Sequence, residues 1–267
     1  MSYENILVET AGHVATLTLN RPTSLNSLNK GLIDDVRNAL RALRNDANVK
    51  ALIVTGAGRG FCAGADLANA GFNDGVQRSV GEGISHSMEI AYNPLVRDLT
   101  EFPKPVVVAV NGVAAGGGVG LALSGDIVIA AKSSYFVQVF GPKLGLVPDM
   151  GCTWFFPHLL GRARSRALAM LGDRLPAEKA AEWGLIWAAV DDAQLLTEAR
   201  MLAERLAKGP TLAFGAIKRT LDAAGENTLD QQLELERRTQ QMLGDTEDFR
   251  EGVTAFLTKR DAQFKGK

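Results

Sequence analysis

Carboxylates, rather than thiols or imidazoles, are the groups of this 267-residue sequence best placed to move protons. Asp149 stands in Gly145-Leu146-Val147-Pro148-Asp149-Met150-Gly151, just ahead of Thr153-Trp154-Phe155-Phe156. Apolar neighbours desolvate a carboxylate and raise its pKa toward the range useful for proton transfer. Asp ahead of a helix also commonly caps free backbone N–H groups. Asp149 therefore reads as an acid/base or as a cap. Two glycine loops offer a complementary chemistry. Gly56-Ala57-Gly58-Arg59-Gly60-Phe61 and Ala115-Gly116-Gly117-Gly118 each follow an apolar, β-branched run. Bare backbone there can bring N–H groups against a ligand, and one from each loop could hold an oxyanion developing on a thioester or peptide carbonyl. The plain alternatives are a tight turn at the first loop and close packing of strand ends at the second.

Other chemistries find less support. Phe61 falls where a dinucleotide fingerprint needs its third glycine, and no Gly-Lys-Ser/Thr completes a phosphate loop. No Gly-x-Ser-x-Gly elbow is present. His13, His86 and His158 read as surface or packing residues. Cys62 and Cys152 read as small core residues, too few for a disulfide framework, and no His, Cys or carboxylate cluster has metal-ligand spacing. Asp66 and Asp126 read as structural. Glu234, Glu236, Asp245, Glu247 and Asp248 read as a solvated helical face.

The elements that must position these groups follow from periodicity. Ile6–Thr10 and Val14–Leu19, split by Ala11-Gly12, predict a β-hairpin. Leu32, Ile33, Val36, Leu40 and Leu43 predict a helix over Lys30–Arg44. Ala51–Thr55, Val106–Val110 and Ile127–Ala131 read as buried strands. A glycine-dotted stretch, Asn69–Gly83, precedes a helix predicted over Ile84–Glu101, which Pro103-Lys104-Pro105 stops. A short small-residue helix follows Gly118. Helical connections between buried strands imply parallel pairing. From Gly151 onward helices are predicted at Leu159–Leu171, Ala177–Trp183, Leu195–Lys208, Thr211–Ala224, Leu229–Leu243 and Phe249–Phe264. The expectation is an α/β core followed by a helical tail docked on that core or on a neighbouring subunit.

Composition agrees with an ordinary soluble globular chain. The chain is 46% hydrophobic and 22% charged with a net charge of -1, which argues against nucleic acid or an acidic membrane surface as partner. The longest apolar runs fall far short of a bilayer span. No secretory signal is readable in Met1–Asn5, so a cytoplasmic location is expected. Twenty-eight glycines, against a usual ~7%, stand out.

With those residues in view, the chain resembles the crotonase (enoyl-CoA hydratase/isomerase) superfamily from about Tyr3 to Lys267. The residues that carry the likeness are Leu17–Pro22, Leu25–Asn29, Gly60–Leu67, Lys104–Gly118, Asp126-Ile127 and Gly145–Pro148. The resemblance implies an α/β spiral of repeated ββα units over residues 1–205. It further implies a helical region over 206–267 that packs on the core and a neighbouring subunit, in homotrimers or dimers of trimers. It implies an acyl-CoA thioester as substrate, with no metal and no redox cofactor. It assigns the oxyanion donors to Ala63 and Gly117. Substrate contacts fall on Arg21, Leu25, Ala63, Gly64, Ala65, Asp66, Leu67, Gly116, Gly117 and Phe140, with Lys259 reaching the phosphates across a subunit boundary.

The departures point to a branch within the family. Hydratases of this superfamily carry two glutamates that activate water; their places fall at Gly120 and around Phe140-Gly141. Asp149 falls where several of its isomerases carry a catalytic acid. Val147–Trp154, Asp248–Val253 and Phe264–Lys267 resemble the isomerases, whose reactions include shifting an enoyl-CoA double bond and expanding the ring of 1,2-epoxyphenylacetyl-CoA to oxepin-CoA. The segment Phe140-Gly141-Pro142-Lys143 reads one residue longer than in close relatives. The apolar acyl pocket is expected from Phe72–Met88 and Val137–Phe140. The alternatives are an enoyl-CoA hydratase of fatty-acid or aromatic-acid degradation and a catalytically inactive CoA-binding protein. A peptidase of the related Clp-type spiral would need a serine–histidine pair at the glycine loops, and none is present.

Overall fold

The fold is described from a computed structural model, covering residues 3–67 and 75–267. The expected hairpin is β1 (Ile6–Ala11) with β2 (Val14–Leu19). Next come α1 (Lys30–Asn45), capped by the Asn29 side chain on the Leu32 N–H, and β3 (Ala51–Gly56). A short strand β4 (Gly60–Cys62) follows, then α2 (Val80–Ser87), a π-helical turn (Met88–Tyr92) and α3 (Asn93–Thr100). The second unit is β5 (Val106–Val110), β6 (Val113–Ala115) and α4 (Gly117–Leu123). The third is β7 (Ile127–Ala131), β8 (Tyr135–Val137), a second π-helical turn (Phe140–Leu144) and α5 (Cys152–Leu171).

Six strands form one sheet in the order β1-β2-β3-β5-β7-β10, where β10 is Ala188–Val190. All of its neighbours pair parallel except the β1 edge. A smaller sheet runs β4-β6-β8-β9, with β9 at Leu175–Pro176. β3, β5 and β7 thus each turn into a short strand of the second sheet before the next helix. This is the ββα spiral that the resemblance implies.

One face of the large sheet, with Val14, Ala51, Ile53, Val107, Ala109 and Ile129, is covered by α7 (Leu195–Ala207). Its other face joins the main core with α1, α3 and the small sheet. Beyond α6 (Ala177–Trp183) and α7 lie α8 (Thr211–Ala223), α9 (Leu229–Gly244) and α10 (Glu247–Thr258). Lys218 on α8 pairs with Asp126 at 2.8 Å, which ties that helix to the start of β7.

Several boundaries differ from the sequence expectation, each for a physical reason. The helix expected from Ile84 begins at Val80, because Ser79 and Glu82 form a reciprocal capping box. Of the stretch Asn69–Gly83, residues 69–74 lie outside the described residues. The helix expected from Leu159 begins at Cys152 and breaks at Gly161, whose φ is +71°. The last helix stops at Thr258 instead of running to Phe264, with Lys259 in a left-handed cap. Asp248 is not solvated: it is 4% exposed, and its carboxylate accepts the N–H groups of Lys265 and Gly266 at 2.7 and 2.8 Å. That clamp folds the tail back along α10.

Candidate active site

The glycine loops meet where the two sheets join. Buried Asn26 donates from Nδ2 to the carbonyls of Ala57 and Gly60 at 3.0 and 2.8 Å and accepts the Arg21 N–H. Asn111 accepts the Gly56 N–H and donates to the Gly58 carbonyl. The loop 56–60 is therefore a sheet-to-sheet turn pinned by two asparagines. It is not a phosphate cradle.

Beyond it the chain runs through β4 to an isolated parallel bridge between Leu28 and Ala65. Leu28 donates to the Gly64 carbonyl at 2.7 Å and accepts the Asp66 N–H at 3.0 Å. In a bridge of this kind the central residue's own N–H faces the other way, so Ala65 presents its amide outward. Among the described residues that amide has no hydrogen-bond acceptor. The Ala63 N–H, by contrast, donates to the Leu25 carbonyl at 3.0 Å. This corrects the assignment drawn from resemblance: Ala63 holds the loop, and Ala65 carries the amide free to meet a ligand. Gly64, with φ +87°, lets the two segments close, since a Cβ there would stand 2.7 Å from the Ala115 carbonyl and 3.2 Å from the Gly117 nitrogen. Gly117 opens α4, where the first amides of a helix lack intrahelical partners.

Asp149 completes the cluster. A Cβ placed on Gly117 would lie 3.4 Å from Asp149 Oδ1, so the carboxylate abuts the opening of α4. It does not cap α5: the cap residue is Gly151, and only the Asp149 main-chain carbonyl engages, with the Cys152 N–H. Oδ1 is buried and has no partner among the described residues. Burial raises the carboxyl pKa from 3.8 to about 6, against a lowering by its own backbone N–H.

In front of Asp149 lies a cavity of about 360 Å³, lined also by Ala65, Leu67, Phe140, Tyr92 and the α2 side from Val76 to Met88. The expected pocket segment is thus realised from Val76 onward and at Phe140, while Phe72 lies outside the described residues. The Phe140 ring rests on Gly116, 3.2 Å from its Cβ position, and forms one wall of the cavity.

Arg21 and Asp66 are brought close but face inward. Their 3.0 Å ion pair, with a further bond from Arg21 to the Ser27 carbonyl, locks the loop behind the bridge. Leu25 packs beside Gly60 and lines no part of the cavity. Lys259 caps α10, outside the cavity lining. Cys62 and Cys152 are fully buried, and burial pushes the Cys62 thiol up to about 12, which leaves both inert. His13 and His158 bond main-chain carbonyls, as packing histidines do. Tyr92, Leu144 and Leu146 line the cavity outside the segments expected from sequence, and His86, read there as a surface or packing residue, lines it too. Among the described residues no trio of potential metal ligands occurs, and no helix is long and apolar enough to cross a membrane.

The chain matches the family Enoyl-CoA hydratase/isomerase over residues 9–267. It is 51% identical over 266 residues to the 1,2-epoxyphenylacetyl-CoA isomerase of Escherichia coli strain K12, covering 99% of each chain. Among solved structures, an enoyl-CoA hydratase from Bacillus anthracis superposes with a TM-score of 0.90 at 32% identity, covering 99% of this chain and 100% of that one. An enoyl-CoA hydratase from Polaromonas sp. JS666 gives 0.90 at 33%, over 97% and 99%.

Proposed function

The chain belongs to the enoyl-CoA hydratase/isomerase family, and from that premise we propose that it is an acyl-CoA isomerase with Asp149 as its proton carrier. The observation that carries the reading is a carboxylate whose buried Oδ1 has no partner among the described residues, set against Gly117. The thioester carbonyl accepts from the amides of Ala65 and Gly117, each donor of this kind contributing roughly 3–4 kcal/mol in comparable sites. Charge drawn onto that oxygen acidifies the adjacent carbon. Asp149 removes a proton there and returns one further along, so the double bond moves with no net gain or loss of atoms. A pKa of about 6 suits both halves: the group is mostly ionised at neutral pH, yet gives its proton up readily.

The most similar named relative above extends the reading to 1,2-epoxyphenylacetyl-CoA. There the ring C–C bond of the epoxide opens to the isomeric seven-membered oxepin, and the same proton shuttle relocates the double bond. Coenzyme A is then part of the substrate, and the residues need no metal or redox group for these steps. Water addition is disfavoured because neither Gly120 nor Phe140 can activate water.

Asp149→Asn tests the proposal with 3-enoyl-CoA and with the epoxide. Loss of at least 100-fold in kcat is expected for both, and near-native turnover would sink the assignment. Wild-type isomerisation should also exceed hydration of a 2-enoyl-CoA. We further propose self-association through the apolar hollow at α5, β10 and α8, following the trimers implied by the resemblance.

A further inference from the structure

We propose that Gln138 is a positioning residue of the oxyanion site: its side-chain amide holds the Gly116–Gly117 peptide from behind, with the Gly117 N–H turned toward the thioester carbonyl. The inference rests on the reading above, in which Gly117 supplies one of the donors, and adds the side chain that orients it.

Gly116 has φ +52° and ψ −122°, a conformation that a Cβ resists and glycine adopts freely. The peptide that follows joins two glycines, so side chains do little to stop it turning over. In a trans peptide the carbonyl and the next N–H point opposite ways. Whatever holds the Gly116 carbonyl therefore also aims the Gly117 amide. Among the described residues two donors reach that carbonyl. The Val119 N–H, at 3.0 Å, belongs to α4 itself. Gln138 Nε2, at 3.4 Å, comes from outside the helix. At that length the bond is weak, and its effect is on direction. The Gly116 N–H in turn donates to the Val137 carbonyl at 2.9 Å, which carries the β6–β8 pairing one residue further. Gly116 is thus held on both sides by consecutive residues at the end of β8.

Gln138 is 2% exposed, and its Nε2 also reaches Cys152 Sγ at 3.1 Å. Cys152 opens α5, just beyond Asp149. The amide therefore braces the opening of α4 against that of α5. Its Oε1 is buried and has no partner among the described residues. Turning the amide over would set Oε1 against the Gly116 carbonyl oxygen, acceptor facing acceptor, so the donor end must face the loop. An apolar side chain would fill the same space and leave no acceptor unmet. What a glutamine adds here is the donor on Gly116.

The test reads the thioester carbonyl directly, by isotope-edited infrared spectra of bound phenylacetyl-CoA labelled with carbon-13 at that carbonyl. In the wild type the band should move to lower frequency than in the free ligand. In Gln138→Met, of similar length and without a donor, that displacement should fall to roughly half or less. Turnover of 3-enoyl-CoA should drop about tenfold in kcat with KM within about twofold, since the weakened interaction matters most in the transition state. Chemical denaturation should find the variant no less stable than wild type, because the unmet acceptor is gone. A folded variant that keeps the wild-type band position overturns the proposal, whatever its stability. If circular dichroism shows Gln138→Met unfolded, Gln138→Leu repeats the measurement. The band requires no turnover, so its dependence on Gln138 alongside unimpaired catalysis in Asp149→Asn would retain the proposal and remove the isomerase mechanism. A wild-type band at the free-ligand position would remove the donor site and Gln138 with it.

Discussion

At the scale of the residue, the consequences concentrate on Asp149, because its desolvation acts on rate and on stability together. Proton abstraction needs the carboxylate form, so kcat/KM should hold above pH 7 and fall tenfold per unit below about pH 6. An ordinary exposed aspartate would place that limb near 4, and a pH profile with the limb there would contradict the burial argument. The stability effect has the opposite sense. A carboxyl whose folded pKa lies above its unfolded value of 3.8 binds more protons when folded, so stability falls as pH rises from about 4 through 6. The difference sets a ceiling of ~3 kcal/mol, which partial solvent contact reduces to about 1–2 kcal/mol. Asp149→Asn should therefore melt a few degrees above wild type at pH 7, with the gap closing toward pH 4. Thermal melts across that range check both sign and window. The one change should lower activity while raising stability.

At the scale of the element, the site depends on how α4 meets the turn before α5. A Cβ on Gly120 would stand 2.5 Å from the Met150 Cβ and closer still to the Met150 carbonyl oxygen. Met150 itself holds a left-handed φ of +51°, so it cannot easily retreat. Gly120→Glu should therefore not install hydration. It should cost about 2–4 kcal/mol in chemical denaturation and leave 2-enoyl-CoA hydration at background, whereas measurable hydration would show that the turn yields. The same elements mark what the sequence could tell. Long strands and helices were legible because their apolar residues keep a period over five or more positions, as in Leu32, Ile33, Val36 and Leu40. The three-residue strands β4, β6 and β8 were not, since three residues carry no period; they are visible only through pairing with partners 22 to 53 positions away. Asp149 was legible from its apolar setting. Tyr92 was not, because it reads as one more apolar residue of a helix until the π turn rotates it toward the cavity. The assignment of a free amide to Ala63 failed on hydrogen-bond direction, which a motif does not carry. The segment Phe140–Lys143 lies in the second π-helical turn, Phe140–Leu144.

At the scale of the whole molecule, the surface left by one chain looks unfinished. Trp154, Leu159, Trp187, Ile217 and Leu221 are each between 43% and 74% exposed, and all five line one hollow of about 760 Å³ between α5, β10 and α8. Monomeric proteins rarely expose a contiguous apolar patch of that kind. Charge gives no competing account, since at a net -1 the surface has no broad field to recruit a polyanion. A second copy of the chain is the occupant the resemblance implies. The Asp126–Lys218 pair beside the hollow fixes α8 in one orientation, so the patch is presented rigidly. Light scattering after size exclusion should then give a multiple of 28.5 kDa, three copies in the simplest assembly. Trp187→Glu and Leu221→Glu each place a charge in the middle of the patch and should shift the mass toward one chain. Their effect on 3-enoyl-CoA turnover should be smaller than that of Asp149→Asn, because neither residue lines the catalytic cavity. A wild type that runs as a monomer at micromolar concentration would remove the assembly proposal and leave the single-chain chemistry intact.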